Sequence, residues 1–425
     1  MIEELVQREN ILQVISKFKD KNVIKVFTGI RRSGKSYLLK LFFYELKKSG
    51  IDENQLIYID FEDFENQQYL DVNTLYEFIK TKNQEINKRL YLLFDEIQEV
   101  SNWEKLINSL FSSSSIDCDI YITGSNAKLL SSELSTYISG RYVQIPIFPL
   151  SYKEFLFFSK QEDSSKSFND FMKVGGFPGL RTMYGDENSI RSYIDGIYST
   201  VLLKDVIAKN KIRDTAILEK IILYLCDNLG NIFSAKRIAD FMKSNGRQLG
   251  IETVYNDLQF LQDALFCYKV PRYDIKGKKL LETMEKYYIA DQGIRFRLLG
   301  YKDSAINGLL ENIVFLELIR RGYQVSIGKI GEYEIDFIAE KEVYGSYQAA
   351  LHVAEAYRSL GVEAYPGSTY QCCWQVYFGS TEKYAEAERM VKMLEDISGV
   401  AEFEIFAGNN YRIQLTGSFG TLLID

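Results

Sequence analysis

The sequence predicts an α/β fold: a parallel sheet with helices on both faces, continued by a helical region and a small α+β tail. Three observations carry this expectation. Short apolar strands alternate with helical stretches through the first 150 residues. The first strand runs into a glycine-containing loop and then directly into a helix. Beyond Ser151 the pattern turns mostly helical, and near Glu342 the composition changes.

The elements follow in order. Apolar periodicity predicts a helix over about 3–18. VIKVF (23–27) is β-branched, apolar and ends at Thr28-Gly29, which predicts a buried strand. SYLLKLFFYELKK predicts a helix stopped by Ser49-Gly50. LIYIDF (56–61), RLYLLFD (89–95), CDIYITG (118–124) and RYVQIPIF (141–148) predict four further strands. TLYEFIK (74–80) and WEKLINSLF (103–111) predict helices among them.

From Ser151, helices are expected at 151–159, 167–173, 187–208 and 214–228, with a break at Gly175-Gly176-Phe177-Pro178-Gly179. SAKRIADFMKSNG and IETVYNDLQFLQDALF predict two helices. CYKVPRY and EKYYIA then predict two strands around a basic turn, the order of a winged helix-turn-helix. A helix over 308–321 and strands near 323–327 and 333–339 follow. The tail reads strand, helix 347–360, strand, strand 374–378, helix 382–396, strand. The resulting division is 1–150, 151–230, 231–300, 301–341 and 342–425.

Composition excludes several function classes. The chain of 425 residues holds one histidine, His352, which argues against histidine catalysis or a histidine metal site. Five cysteines without metal-ligand spacing fit a reducing cytoplasm. No run of roughly 18 apolar residues predicts a membrane span. The acidic, amphipathic start is not a secretory signal. The net charge of −7 is unevenly spread: residues 342–425 carry −6 and residues 1–341 carry −1.

Gly29-Ile30-Arg31-Arg32-Ser33-Gly34-Lys35-Ser36 matches G-x-x-x-x-G-K-[ST] between a strand and a helix. Gly29 and Gly34 let the backbone curl so that its N–H groups face phosphates at a helix N-terminus. Lys35 is expected to reach the β/γ-phosphates of ATP, and the Ser36 hydroxyl to ligate Mg²⁺. Ser33 and Tyr37 belong to the same candidate nucleotide site. Arg31 and Arg32 are read either as phosphate contacts or as members of surface salt bridges.

Tyr91-Leu92-Leu93-Phe94-Asp95-Glu96 is an apolar strand ending in acids, which emerge at the carboxyl edge of the sheet. Asp95 is expected to hold Mg²⁺ and Glu96 to polarise the attacking water. In Ile122-Thr123-Gly124-Ser125-Asn126, Asn126 is chosen as the γ-phosphate or water-sensing residue, with Ser125 as competitor. Both also suit a helix N-cap. Arg141 is read either as an arginine finger, in cis or across a subunit interface, or as a solvated arginine before a strand.

GIRRSGKSYLLK, LLFDEIQEVSNWEKLI, YITGSNAKLLSSELSTYISGRYVQIPIFPLSYKEF and the later GGFP resemble the prokaryotic AAA-type ATPases with a DUF4143 C-terminal region. The resemblance spans about residues 1–341. It implies a P-loop NTPase sheet, ATP binding and ATP hydrolysis, with no defined partner.

The winged-helix segment 232–286 holds 10 Lys+Arg and 7 Asp+Glu. Its second helix contains Glu252, Asp257 and Asp263 but no Lys or Arg. An acidic helix suits a DNA groove poorly, so a protein partner or an interdomain role is preferred, with DNA contact through Arg247, Lys276, Lys278 and Lys279 as the alternative. LENIVFLELIRRGYQV and EIDFI resemble the opening of a restriction-endonuclease-like core, with Glu311, Glu317, Glu334 and Asp336 as its acids. The following E-x-K or Q-x-K is missing, so nuclease activity is not expected. The tail resembles the SPOR repeat, a small ferredoxin-like domain that binds peptidoglycan.

Three functions therefore follow from the sequence. The first is an ATP-hydrolysing conformational switch, free or oligomeric. The second is an ATP-modulated DNA-binding regulator. The third is a wall-binding protein with a vestigial ATPase.

Overall fold

The computed structural model describes residues 8–124, 141–244, 250–274, 279–300, 306–330, 333–340, 364–368, 374–381, 403–406 and 411–415. The chain divides into two compact units. One comprises Met1–Lys269 and Met284–Leu316, the other Val270–Thr283 and Glu317–Asp425.

The first unit opens with helix α1 (Glu9–Lys17) and strand β1 (Ile24–Thr28), buried along its whole length. Helix α2 (Lys35–Lys48) follows, then β2 (Leu56–Asp60) and α3 (Val72–Ile86). β3 (Leu90–Asp95), α4 (Trp103–Ser112), β4 (Cys118–Gly124) and β5 (Tyr142–Pro146) complete the layer. The five strands lie in the order β2-β3-β4-β1-β5, and every pairing is parallel. Each face is sealed by its own apolar cluster. Leu38, Leu39 and Phe42 of α2 pack with Phe27, Leu93 and Tyr121 on one side. Leu75, Ile79, Trp103 and Ile107 pack with Val26, Leu92 and Ile122 on the other. Burial on both faces explains why these strands read as continuous apolar runs.

The order places β4 between β1 and β3. The loop after β1 and the acids after β3 are therefore separated by one strand, whose carboxyl end sits between them. That end carries Thr123, with Thr123 in register with Phe27.

The helical part of this unit holds α5 (Tyr152–Ser159), α6 (Ser165–Val174), α7 (Glu187–Thr200) and α8 (Thr215–Asp227). α5 and α6 both start with a capping box, from Ser151 with Glu154 and from Ser164 with Ser167. The single helix expected over 187–208 changes type. It is α-helical to Thr200 and then π-helical over Val201–Ala208. The expected helices and strands after Phe233 occur as α9 (Ala235–Ser244), α10 (Ile251–Asp263), β6 (Cys267–Asp274) and β7 (Lys279–Ile289).

α11 (Gln292–Leu299) has no counterpart in the sequence reading. Gln292, Gly293, Ile294 and Arg295 are all buried, so the helix offers no apolar stripe to recognise. α12 (Ile306–Arg320) follows.

In the second unit β6 pairs in parallel with β8 (Gln324–Ile330), which is antiparallel to β9 (Tyr333–Glu340). The tail forms a separate sheet of β10 (Ala364–Ser368), β11 (Trp374–Thr381), β12 (Phe403–Phe406) and β13 (Tyr411–Leu415), ordered β10-β11-β13-β12. β11 and β12 both run antiparallel to the β13 between them, so they are parallel to each other. A β-α-β connection requires that sense. The helices expected over 347–360 and 382–396 lie outside the described residues.

Candidate nucleotide-binding site

The loop between β1 and α2 begins at Gly29, where an added Cβ would run into the Ile147 carbonyl. Gly34 adopts φ 100° and leads directly into Lys35, the first residue of α2. That conformation favours glycine, which explains the second glycine of the motif. Arg32 also takes positive φ, 68°, so the loop turns sharply at two points.

Lys35 is buried, and its ammonium donates to the carbonyls of Gly29 (3.0 Å) and Ile30 (3.4 Å). Burial pushes its pKa down, while Glu96 and Asp95 act to hold the charge. The Ser33 hydroxyl is buried and has no hydrogen-bond partner among the described residues. A loop with backbone donors, a buried cation and an unsatisfied hydroxyl fits an anionic phosphate chain.

Asp95 ends β3 fully buried. Burial raises its pKa, opposed by hydrogen bonds from Thr123, Ser36 and Tyr58. Thr123 donates to Asp95 Oδ1, and the Tyr58 hydroxyl donates to Oδ2 at 3.0 Å. The Ser36 hydroxyl and the Asp95 carboxylate thus sit together, a hard oxygen pair suited to Mg²⁺. Glu96 follows in the left-handed region at φ 53°, and its backbone N–H donates to Thr123 Oγ1 at 2.9 Å. A non-glycine residue held there stores strain, a feature that concentrates at functional sites. Gln98 donates to the Glu96 carboxylate.

The structure therefore brings Gly29, Ser33, Gly34, Lys35, Ser36, Asp95 and Glu96 to one edge of the sheet. Tyr37 is part of α2 and packs against the cluster of Phe27, Leu93 and Tyr121. Asn126 and Ser125 lie outside the described residues.

Arg141 is elsewhere. Its carbonyl accepts from Ile24 N at 2.8 Å, at the amino end of β1, whereas the loop follows the carboxyl end. The five-residue strand from Ile24 to Thr28, four rises long, separates the ends by about 13 Å. Its guanidinium donates to Asn108 (2.6 Å) and Ser112 (3.0 Å) of α4. Within the chain the structure does not bring Arg141 to the loop.

Arg31 is tied to carboxylates. It pairs with Asp205 through two contacts, 3.2 and 3.3 Å, and with Glu62 at 3.2 Å. Of the two alternatives for Arg31, the structure shows the salt bridge, with a partner from the π-helical segment.

Two further groups brace the loop. Arg8, buried ahead of α1, donates to the Ser33 carbonyl (3.4 Å), to the Phe148 carbonyl (3.1 Å) and to Glu154 (2.7 Å). The Gly175–Gly179 break reaches the loop from the helical side. Gly176 N–H donates to Asp291 Oδ2 (2.6 Å), and Leu150 N–H to the Gly176 carbonyl (2.6 Å). Phe177 is fully buried, and the Pro178 ring lies 3.5 Å from where a Gly34 Cβ would be.

Sequence reasoning missed Thr123, Tyr58, Arg8 and Asp205. Thr123 had a signal, since it is the last residue but one of β4 and lies three residues before the chosen Asn126. Arg8 and Asp205 are distant in sequence from every motif and left none.

Residues 21–156 match the AAA domain family, and residues 165–305 match a domain of unknown function, DUF8612, where the resemblance implied DUF4143. An uncharacterized protein of Haemophilus influenzae is 41% identical over 345 residues, covering 80% of this chain and 85% of its own. An uncharacterized protein of Methanocaldococcus jannaschii is 33% identical over 363 residues, covering 81% and 78%. The chain belongs to one family with these proteins, and its N-terminal part is an AAA domain. A Walker-type ATPase of Pyrococcus abyssi aligns over 70% of this chain and 96% of its own, at 16% identity and TM-score 0.46. The AAA-domain match contains every residue gathered at this sheet edge, while Asp205 and Asp291 lie in the DUF8612 match.

Two of the acids singled out downstream, Glu311 and Glu317, are engaged in pairs. Glu311 accepts from Lys286 (3.2 Å) and from the Tyr288 hydroxyl (3.1 Å). Glu317 pairs with Arg320 and Arg321. Asp336 is exposed on β9, and the Glu334 side chain lies outside the described residues. Among the described residues no helix is long and apolar enough to cross a membrane.

Proposed function

We propose that this protein binds ATP at Gly29–Tyr37 and hydrolyses it with Mg²⁺, acting as a cytoplasmic conformational switch on a protein partner. The observation that carries this reading is the convergence of Lys35, Ser36, Asp95 and Glu96 at one sheet edge, fixed by Thr123. Lys35 and the loop N–H groups supply positive potential for the phosphates. Ser36 and Asp95 would hold Mg²⁺, which when bound neutralises phosphate charge and orients the reacting oxygens. Glu96, held by its backbone bond to Thr123, orients and polarises the attacking water.

A protein partner is favoured over DNA by the character of α10. Asp257 and Asp263 are buried, so two of its three acids do not face outward. Its exposed residues include Ile251 and Tyr255, with no basic side chain in the helix. Such a surface lacks the phosphate contacts that dominate DNA affinity.

The test is equilibrium binding of a fluorescent ATP analogue with Mg²⁺ to the full chain and to Lys35→Ala. The expected result is saturable binding that weakens roughly 10- to 100-fold in the variant, the range for losing one charged hydrogen-bonding group. Absence of binding by the unmodified protein, or equal binding by both, contradicts the reading.

A further inference from the structure

The loop after β1 and the π-helical segment meet at one ion pair. Arg31 is the second residue after Gly29, and its guanidinium is shared by Asp205 and Glu62. The two carboxylates differ in their surroundings. Glu62 is 43% exposed and can turn into water, whereas the Asp205 side chain is 8% exposed. Val201, Leu202 and Val206 of the same segment are also buried. Asp205 therefore has little solvent to turn into, and loss of Arg31 leaves its enclosed carboxylate without that charge partner.

The Asp205 backbone lies in an eight-residue π-helix continuing an α-helix. π-Helical geometry is rare and mostly confined to single turns, often at functional positions. A segment of this length has the α-helical register available as an alternative. The neighbouring Ile30 is part of the apolar core that contains Phe177, Leu180, Ile197, Val206 and Ile222. The phosphate loop and the helical region thus share one core and one ion pair.

We infer that Asp205 is a nucleotide-displaced latch: phosphate entering the Gly29–Ser36 loop takes Arg31 from Asp205, and the released Val201–Ala208 segment changes conformation. The inference rests on the nucleotide reading above. The loop already faces Glu62, Glu96, Glu99 and Asp205, with Lys204 near Glu99. Adding a polyanion to this group sets it in competition with the carboxylates for the same guanidinium. Exposed Glu62 yields at little cost, and the buried competitor is the one whose departure moves the fold. Asp205 is accordingly a positioning residue that acts through Arg31 and transmits the state of the loop to the helical region.

The experiment is a double-mutant cycle on the affinity for Mg²⁺ and a non-hydrolysable ATP analogue, using the full chain. Asp205→Asn is expected to bind roughly five- to tenfold more tightly than the unmodified protein, because the competitor for Arg31 has lost its charge. In an Arg31→Ala background the same change is expected to have no effect, and Asp205→Glu is expected to retain the original affinity. A purely structural role for Asp205 predicts weaker binding, independent of Arg31. Hydrogen exchange of the unmodified protein supplies a readout that needs no variant. The analogue is expected to speed exchange severalfold at residues 201–208. Analogue binding with unchanged exchange there, or tightening that persists without Arg31, overturns the latch alone. Failure of the unmodified protein to bind the analogue overturns the nucleotide reading and the latch together.

Discussion

The Thr123 hydroxyl donates to the carboxylate of Asp95 and accepts the backbone N–H of the next residue, Glu96. One side chain of β4 thereby fixes the metal-binding candidate and sets the direction of the water-polarising candidate. This is possible because β4 lies between β1 and β3. Thr123→Val keeps the shape and removes the hydroxyl. Turnover is expected to fall roughly 10- to 100-fold, as for a misplaced general base, with analogue affinity changed by less than about threefold. Steady-state phosphate release alongside equilibrium binding checks this; unchanged turnover contradicts it.

The Gly175–Gly179 break is held by Asp291, buried ahead of α11, which accepts from Gly176 N (2.6 Å) and Gly293 N (2.8 Å). Asp291→Ala leaves two backbone donors without this acceptor. A loss of about 2–4 kcal/mol is expected from two unsatisfied buried groups. Denaturant unfolding measures it, and Asp291→Asn should lose less because one oxygen remains.

These two cases show what the sequence made legible. The parallel sheet was readable because burial on both faces writes each strand as an apolar run, bounded by glycine or acids. The loop was readable because Gly29 and Gly34 satisfy backbone requirements no other residue meets easily. Thr123 was overlooked because its role depends on strand order, which alternation alone does not specify. Asp205 and Arg8 act across 174 and 25 residues of sequence separation, respectively, so only the folded chain pairs them with the loop. On α10, the acids Asp257 and Asp263 suggested an acidic surface, yet they are buried. Local composition does not distinguish an outward acid from an inward one.

Asp257 gives a pH prediction. Burial, with Asp214 nearby, pushes its carboxyl up to about 6 from the usual 3.8. A folded-state pKa above the unfolded one means that ionisation opposes folding. The cost is absent below pH 3.8, grows between 3.8 and about 6, and is complete above that. Asp257→Asn is therefore expected to stabilise the protein by roughly 2–3 kcal/mol at pH 8 and by much less near pH 4. Unfolding midpoints across this range test it; a pH-independent difference contradicts the assignment.

Lys25 and Asp119 form a fully buried ion pair at the amino half of the sheet, supported by the Tyr121 hydroxyl (2.7 Å) and Asp20 N–H (2.8 Å) on Asp119. Burial pushes the Lys25 pKa down and Asp119 opposes that shift. Lys25→Ala is expected to cost about 3–5 kcal/mol, because it leaves Asp119 in a dry environment without its cationic partner. The double change Lys25→Met with Asp119→Asn should recover a substantial part of that loss. Chemical denaturation of the three forms decides whether the pair or the cavity dominates.

The central claim is that the loop, with Asp95 at the end of β3 and Glu96 after it, hydrolyses ATP. The most direct test is Mg²⁺-dependent phosphate release by the purified full chain, compared with Glu96→Gln. The account predicts measurable turnover that falls at least roughly 100-fold in the variant, while binding of a non-hydrolysable ATP analogue persists. Absence of turnover in the unmodified protein, or a rate left unchanged by Glu96→Gln, contradicts it.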